Sequence, residues 1–135
     1  MADTLRLIVA TPERQLVDES VSRVELPGKN GYLGILPEHA PLLSELGAGV
    51  LSYDSDAQER FLAVDGGFVE VLDNQVRVLA ERAEFGININ LEQARRALDD
   101  AQSLVETPTP ERDFDKALAD LRSAQARFEA AERAR

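Results

Sequence analysis

The spacing of apolar residues changes period once along this chain, near residue 88, and that change constrains the fold more than any single motif. Up to about Phe85, short β-branched runs alternate with Gly- or Pro-containing breaks. Leu5–Val9 ends at Thr11-Pro12, and Val21–Leu26 ends at Pro27-Gly28. Val50–Tyr53 and Phe61–Val64 flank the polar turn Asp54–Ala57. Phe68–Val71 and Val76–Leu79 flank Asp73-Asn74, whose asparagine tolerates the positive φ of a tight hairpin. Gly66-Gly67, between two such runs, reads as a tight turn or bulge. Runs this short and this closely spaced predict a mainly β sandwich or flattened barrel of roughly eight to ten strands over residues 1–87.

From Leu91 the period is helical. Leu91, Leu98 and Val105 stand seven apart, with Ala94 and Ala101 three residues after the first two. Asn90, followed by Gln93, supplies an N-cap and its capping partner. Thr107-Pro108-Thr109-Pro110 breaks the helix, because proline has no amide to donate and biases its predecessor away from helical geometry. Phe114, Leu121 and Phe128 then repeat the spacing, each followed three residues later by an alanine. Large residues at one seam position and alanines at the other predict an antiparallel α-helical hairpin over 88–135, with helices at about 91–105 and 112–133. Each seam runs for only two to three heptads, near the limit for independent stability. Two outcomes stay open from that: a hairpin that opens, or a static helical appendage.

Composition narrows the function. The net charge of −10 argues against nucleic acid as a partner and against direct adhesion to anionic lipid. Residues 1–87 carry 15 acids and 7 bases, against 10 and 8 in residues 88–135. Solubility is the plain reading of the acidic half. There is no cysteine, so disulfide and thiolate chemistry are excluded, in keeping with a reducing compartment. The N-terminal stretch Met1–Arg6 shows no basic region followed by an apolar run, so no secretory leader is expected.

The thirteen residues Gly31–Leu43 hold two glycines, two prolines and the single histidine among mainly apolar neighbours. Fixed φ at proline and free φ at glycine predict a shaped, rigid loop between strands that contacts something. No chemistry gathers around it. His39 has Ser44 as its nearest hydroxyl and no acid at triad spacing, and one histidine without cysteine makes no zinc site. Gly28–Gly31 matches neither a P-loop nor a dinucleotide fingerprint. No enzyme activity, metal or cofactor is therefore expected. His39 reads equally as a loop-shaping residue and as a contact residue.

The run Gly34-Ile35-Leu36-Pro37-Glu38-His39-Ala40-Pro41-Leu42-Leu43 resembles the signature of the epsilon subunit of F-type ATP synthases. Gly66–Val71, followed by Asn74–Ala80, resembles that family's Gly-Gly-Phe and Val-Leu-Ala strand pair. The order of sandwich, helix, break and helix is similar as well. The resemblance implies a bacterial-type central-stalk rotor subunit, non-catalytic and without cofactor, in a proton- or sodium-translocating synthase. Its implied partners are the gamma subunit and the c-ring, and also the beta and alpha subunits if the hairpin extends to inhibit ATP hydrolysis. It implies a peripheral place on the cytoplasmic face of the cell membrane, reached only through the complex.

Residue by residue, the resemblance implies that Tyr32, Glu38, His39, Ala40 and Leu42 are candidates for contact with the c-ring or gamma. The loop around Tyr32 and the Pro37–Leu43 loop are both expected near the ring-facing end. Leu36, Leu42 and Leu43 have a competing reading as core, which is expected to hold for at least one of them. The candidate inhibitory bases are Arg112, Lys116, Arg122, Arg127 and Arg133, together with Arg135. Interleaved acids give these bases a competing reading as a solvated helix face. ATP-binding members carry aliphatic-Asp-x-x-Arg-Ala at the start of the first helix. Here the run is Ile89-Asn90-Leu91-Glu92-Gln93-Ala94, with the acid replaced at Asn90 and the arginine at Gln93. Without that phosphate-pairing guanidinium, no nucleotide binding is expected. The alternative function is a stand-alone sensor of a small ligand or nucleotide whose hairpin closes on it.

Overall fold

The computed structural model describes residues 3–135; Met1 and Ala2, part of the stretch read above for a leader, lie outside the described residues. Eight strands come first: β1 Leu5–Ala10, β2 Gln15–Val21, β3 Arg23–Gly28, β4 Gly31–Ile35, β5 Leu42–Glu45, β6 Ala48–Ser55, β7 Gln58–Leu72 and β8 Gln75–Phe85. A 3-10 turn at Gly86–Asn88 leads to two helices, α1 Leu91–Glu106 and α2 Phe114–Arg133. The strands pair in the order β2-β1-β8-β7-β6-β3-β4, with β5 added on β7. β1 and β8 run parallel, while the other paired strands are antiparallel. The result is a β-sandwich with a helical pair against one face.

Three strand expectations are corrected. Val21–Leu26 is not one strand, because the chain bends at Ser22 between β2 and β3. Gly31–Leu43 is not one loop either. Its first five residues form β4 beside β3, leaving only Leu36–Pro41 irregular before β5. Thirdly, Phe61–Val64 and Phe68–Val71 belong to one fifteen-residue strand.

β7 bends at Gly66 and Gly67, which have φ of 71° and 109°. The bend reverses which side chains face inward. Leu62 and Val64 fill the core before it, and Val69 and Val71 after it. β6 pairs with the first half of β7 and β5 with the second. A Cβ at Gly67 would lie 2.0 Å from the Leu79 carbonyl oxygen, so no other residue fits that corner without moving the backbone.

Period-2 alternation sends Leu5, Leu7 and Val9 of β1 into the same core as Val24 and Leu26 of β3 and Leu51 and Tyr53 of β6. Both I′-like turns use positive φ on two residues: Asp56-Ala57 between β6 and β7, and Asp73-Asn74 between β7 and β8.

Both helices begin on a side-chain cap. The Gln93 amide donates to Asn90 Oδ1 at 2.9 Å, and the Lys116 amide donates to Asp113 Oδ1 at 3.1 Å. The Asp113 cap starts α2 at Phe114, two residues later than expected. α2 lies on β6 and β7 through Ala126, Ala130 and Ala131, which meet Val50, Ala63 and Ile89. α1 packs mainly on α2.

Candidate interaction surfaces

One surface is built at the free end of the Leu36–Pro41 loop. Its shape comes from hydrogen bonds rather than from burial. Glu38 takes a left-handed φ of 66°, and its amide donates to Asn74 Oδ1 at 2.9 Å. Asn74 Nδ2 donates to the Thr4 carbonyl at 2.9 Å, so one side chain ties the loop to both the β7–β8 turn and the start of β1. The His39 amide closes a turn on the Leu36 carbonyl at 3.2 Å. His39 Nδ1 lies 2.7 Å from the Ala40 carbonyl oxygen. A carbonyl only accepts, so Nδ1 carries the proton and donates. His39 thus shapes the loop while its ring stays exposed.

The three leucines divide. Leu42 packs against the core, whereas Leu36 and Leu43 are 60% and 73% exposed. Glu38, His39 and Ala40 share this exposed end with them. Tyr32 does not. It sits near the start of β4, on the order of 13 Å from Leu36 at about 3.3 Å per strand residue. Its hydroxyl accepts the Val50 amide at 2.9 Å, and its ring is half exposed. Tyr32 and the Leu36–Pro41 loop thus lie at opposite ends of β4.

The second surface is α2, and here the candidate bases face inward as much as outward. Arg127 makes a two-pronged contact with Glu84 of β8, at 3.0 and 3.3 Å. The Arg133 guanidinium stacks 4.7 Å from the centre of the Phe61 ring and also reaches Glu129 at 3.5 Å. Arg135 donates to the Gly86, Ile89 and Ala131 carbonyls at 3.1, 2.6 and 2.7 Å, joining α2 to the chain that leaves β8. Arg112 folds back onto the Leu104 and Thr107 carbonyls at the end of α1. Lys116 pairs with Asp120 one turn on at 2.8 Å, and that hydrogen bond, with the carboxylate charge, raises its ammonium above the usual range. Arg122 is exposed.

Sequence reasoning missed the groups on the sandwich that receive these helices. Ser123 donates to Asp65, which also accepts from Arg82. With Glu84 and Arg127, these side chains line a cleft of about 580 Å³ between α2 and the sheet. Two of its ion pairs, Arg82–Asp65 and Arg127–Glu84, are made within the cleft. Nothing local in the sequence marks them, since Asp65 and Ser123 are 58 residues apart. Asn74 had a signal, but only as a turn residue.

Residues 4–86 match the family model described as ATP synthase, Delta/Epsilon chain, beta-sandwich domain. The chain is 47% identical to the ATP synthase epsilon chain of Solibacter usitatus over 98% of its own length and 99% of that relative's. It belongs to the ATP synthase epsilon chain family. A second epsilon chain, from Carboxydothermus hydrogenoformans, is 46% identical over 82% of each chain.

Two solved structures share the fold of this epsilon-family chain. One is a chain of the Euglena gracilis mitochondrial ATP synthase, OSCP/F1/c-ring, with TM-score 0.83, 21% identity, and coverage of 98% of this chain and 83% of that one. The other is a chain of the Tetrahymena thermophila mitochondrial ATP synthase central stalk and c-ring, with TM-score 0.58, 15% identity, and coverage of 96% and 94%. No helix among the described residues is long and apolar enough to cross a membrane.

Proposed function

We propose that this chain is a non-catalytic central-stalk rotor subunit of a proton- or sodium-translocating F-type ATP synthase, joining gamma to the c-ring on the cytoplasmic face of the cell membrane. The near full-length likeness to an epsilon chain carries this reading. The loop end supports it physically. Leu36 and Leu43 project from a backbone that Asn74 and His39 hold in one shape, which suits a joint that transmits torque. Glu38, His39 and Ala40 are the contact residues at that end, and Tyr32 contributes at the other end of β4. A pull-down from membrane extracts with tagged chain is expected to recover gamma and c subunits. Recovery of neither would overturn the assignment.

The hairpin is read as an inhibitory element that leaves the sandwich and extends toward the beta and alpha subunits. Arg122 is exposed in the docked arrangement, and undocking would release Arg127, Arg133 and Arg135 from the contacts that now occupy them. Truncation after Val105 is expected to raise ATP hydrolysis by the assembled complex; unchanged hydrolysis would remove the inhibitory role. Asn90 caps α1 through its own side chain, in keeping with a structural use of the altered motif. No micromolar ATP affinity is expected by titration calorimetry.

A further inference from the structure

β6 is buried on both faces, which makes it unusual in this sandwich. Leu51 and Tyr53 point into the core, while Val50 faces the helices among Ala126, Ala130 and Ala131. Alternation puts Ser52 on the same side as Val50. Its cross-strand partners are Phe61 on β7 and Glu25 on β3. Phe61 belongs to the helix-facing cluster and carries the Arg133 guanidinium on its ring. Ser52 is therefore in the floor on which α2 rests. It is 1% exposed, and its hydroxyl has no hydrogen-bond partner among the described residues. A buried hydroxyl without a partner loses its hydration and gains nothing in return.

The contacts α2 itself brings to this seam are small. Its own fully buried residues are all alanines, each with one methyl to remove from water, set against Val50 and Ile89. The Arg127–Glu84 contact is more than a third exposed on both sides, so solvent screens it. Against contacts of this size, one unpaired hydroxyl is a comparable opposing quantity.

We infer that Ser52 is a built-in bias against the docked hairpin: its hydroxyl is dehydrated while α2 lies on the sandwich and regains water when α2 leaves. The position thus sets how readily the helices undock. Its effect on the enzyme complex rests on the inhibitory reading above, but the bias itself is a property of the isolated chain.

The test is hydrogen exchange on the isolated full-length chain carrying Ser52→Ala. Amides of α2 are expected to exchange roughly five- to a hundredfold more slowly than in the parent chain, the factor that corresponds to an unmet hydroxyl. Amides of β6 and β8 are expected to change less. Ser55→Ala is the control on the same strand, because its hydroxyl faces the other way and donates to Glu19 Oε1 at 2.9 Å. That variant is expected to melt lower without slowing α2. Unchanged or faster α2 exchange in Ser52→Ala would overturn the inference, as would equal slowing of α2 and the strands, or a lower melting temperature. Slower α2 exchange with unaltered ATP hydrolysis in the complex would leave the bias standing and count against the inhibitory reading alone.

Discussion

The interior of the sandwich and the seam beneath α2 both bury apolar side chains, but they are held in different ways. The interior is filled by Leu7, Leu26, Leu51, Leu62 and a set of valines, with one polar network at its margin, where Tyr53 and Ser55 donate to Glu19. The seam sets the alanines of α2 over Val50 and Ile89, relies on ion pairs and carbonyl contacts around its rim, and encloses the unpaired Ser52. Large aliphatic side chains contribute about 1.5–3 kcal/mol each on burial, and an alanine methyl well under half of that. The interior is therefore held by the burial of large aliphatic side chains, and the seam by many smaller contacts.

The sharpest way to break the contrast is Leu51→Ala. It removes a fully buried side chain from the core and is expected to cost about 2–5 kcal/mol of global stability by chemical denaturation. Tyr53→Phe comes next, at about 1.5–3 kcal/mol, because it removes a 2.9 Å donor to a carboxylate. Tyr53 also makes a pH prediction. Burial first, then the hydrogen bond and charge of Glu19, raise its phenol above the ordinary value near 10. The protonated form is the one the fold accommodates. Its stability is fully present below about pH 10 and is lost as pH rises beyond that. Alkaline titration of unfolding is expected to show this loss in the parent chain and much less of it in Tyr53→Phe.

On the seam, Gly86→Ala is expected to cost about 1–3 kcal/mol, seen as faster exchange in α2 with the strands protected. A Cβ there would stand 2.2 Å from the Ala130 carbonyl oxygen, so α2 must lift away. Equal loss of protection in β8 would blur the distinction between the two regions. Arg127→Ala is the smallest change, about 0.2–1 kcal/mol, because its pair with Glu84 is half in solvent. It should weaken further in effect as salt is raised.

Parts of this architecture were legible because they depend on neighbours in the chain. The helix cap at Asn90, the break at Pro108 and Pro110, and the Asp73-Asn74 turn all act within a few residues. β2 was not legible, since Asp18 and Glu19 mask its pattern. In the fold, Asp18 takes both prongs of Arg6 at 2.8 Å, and Glu19 receives Tyr53 and Ser55. β4 was hidden for a different reason. Gly31 and Gly34 read as loop residues, yet on this edge strand neither position has a neighbour for a side chain to meet.

The candidate loop shows the same limit. Its rigidity followed from Pro37, Pro41 and the histidine between them, but its anchor Asn74 is 36 residues from Glu38. The sequence alone determined the two periodicities, the breaks between elements and the family signature in Gly34–Leu43. All of these are set by local backbone preference and side-chain alternation. Tertiary structure decided that Leu42 turns inward while Leu36 and Leu43 turn out, that Arg127 and Arg135 hold α2 down, and that Ser52 lies beneath it. Those outcomes depend on strand register and helix placement across long separations, where a shift of one residue would exchange every inward side chain for an outward one.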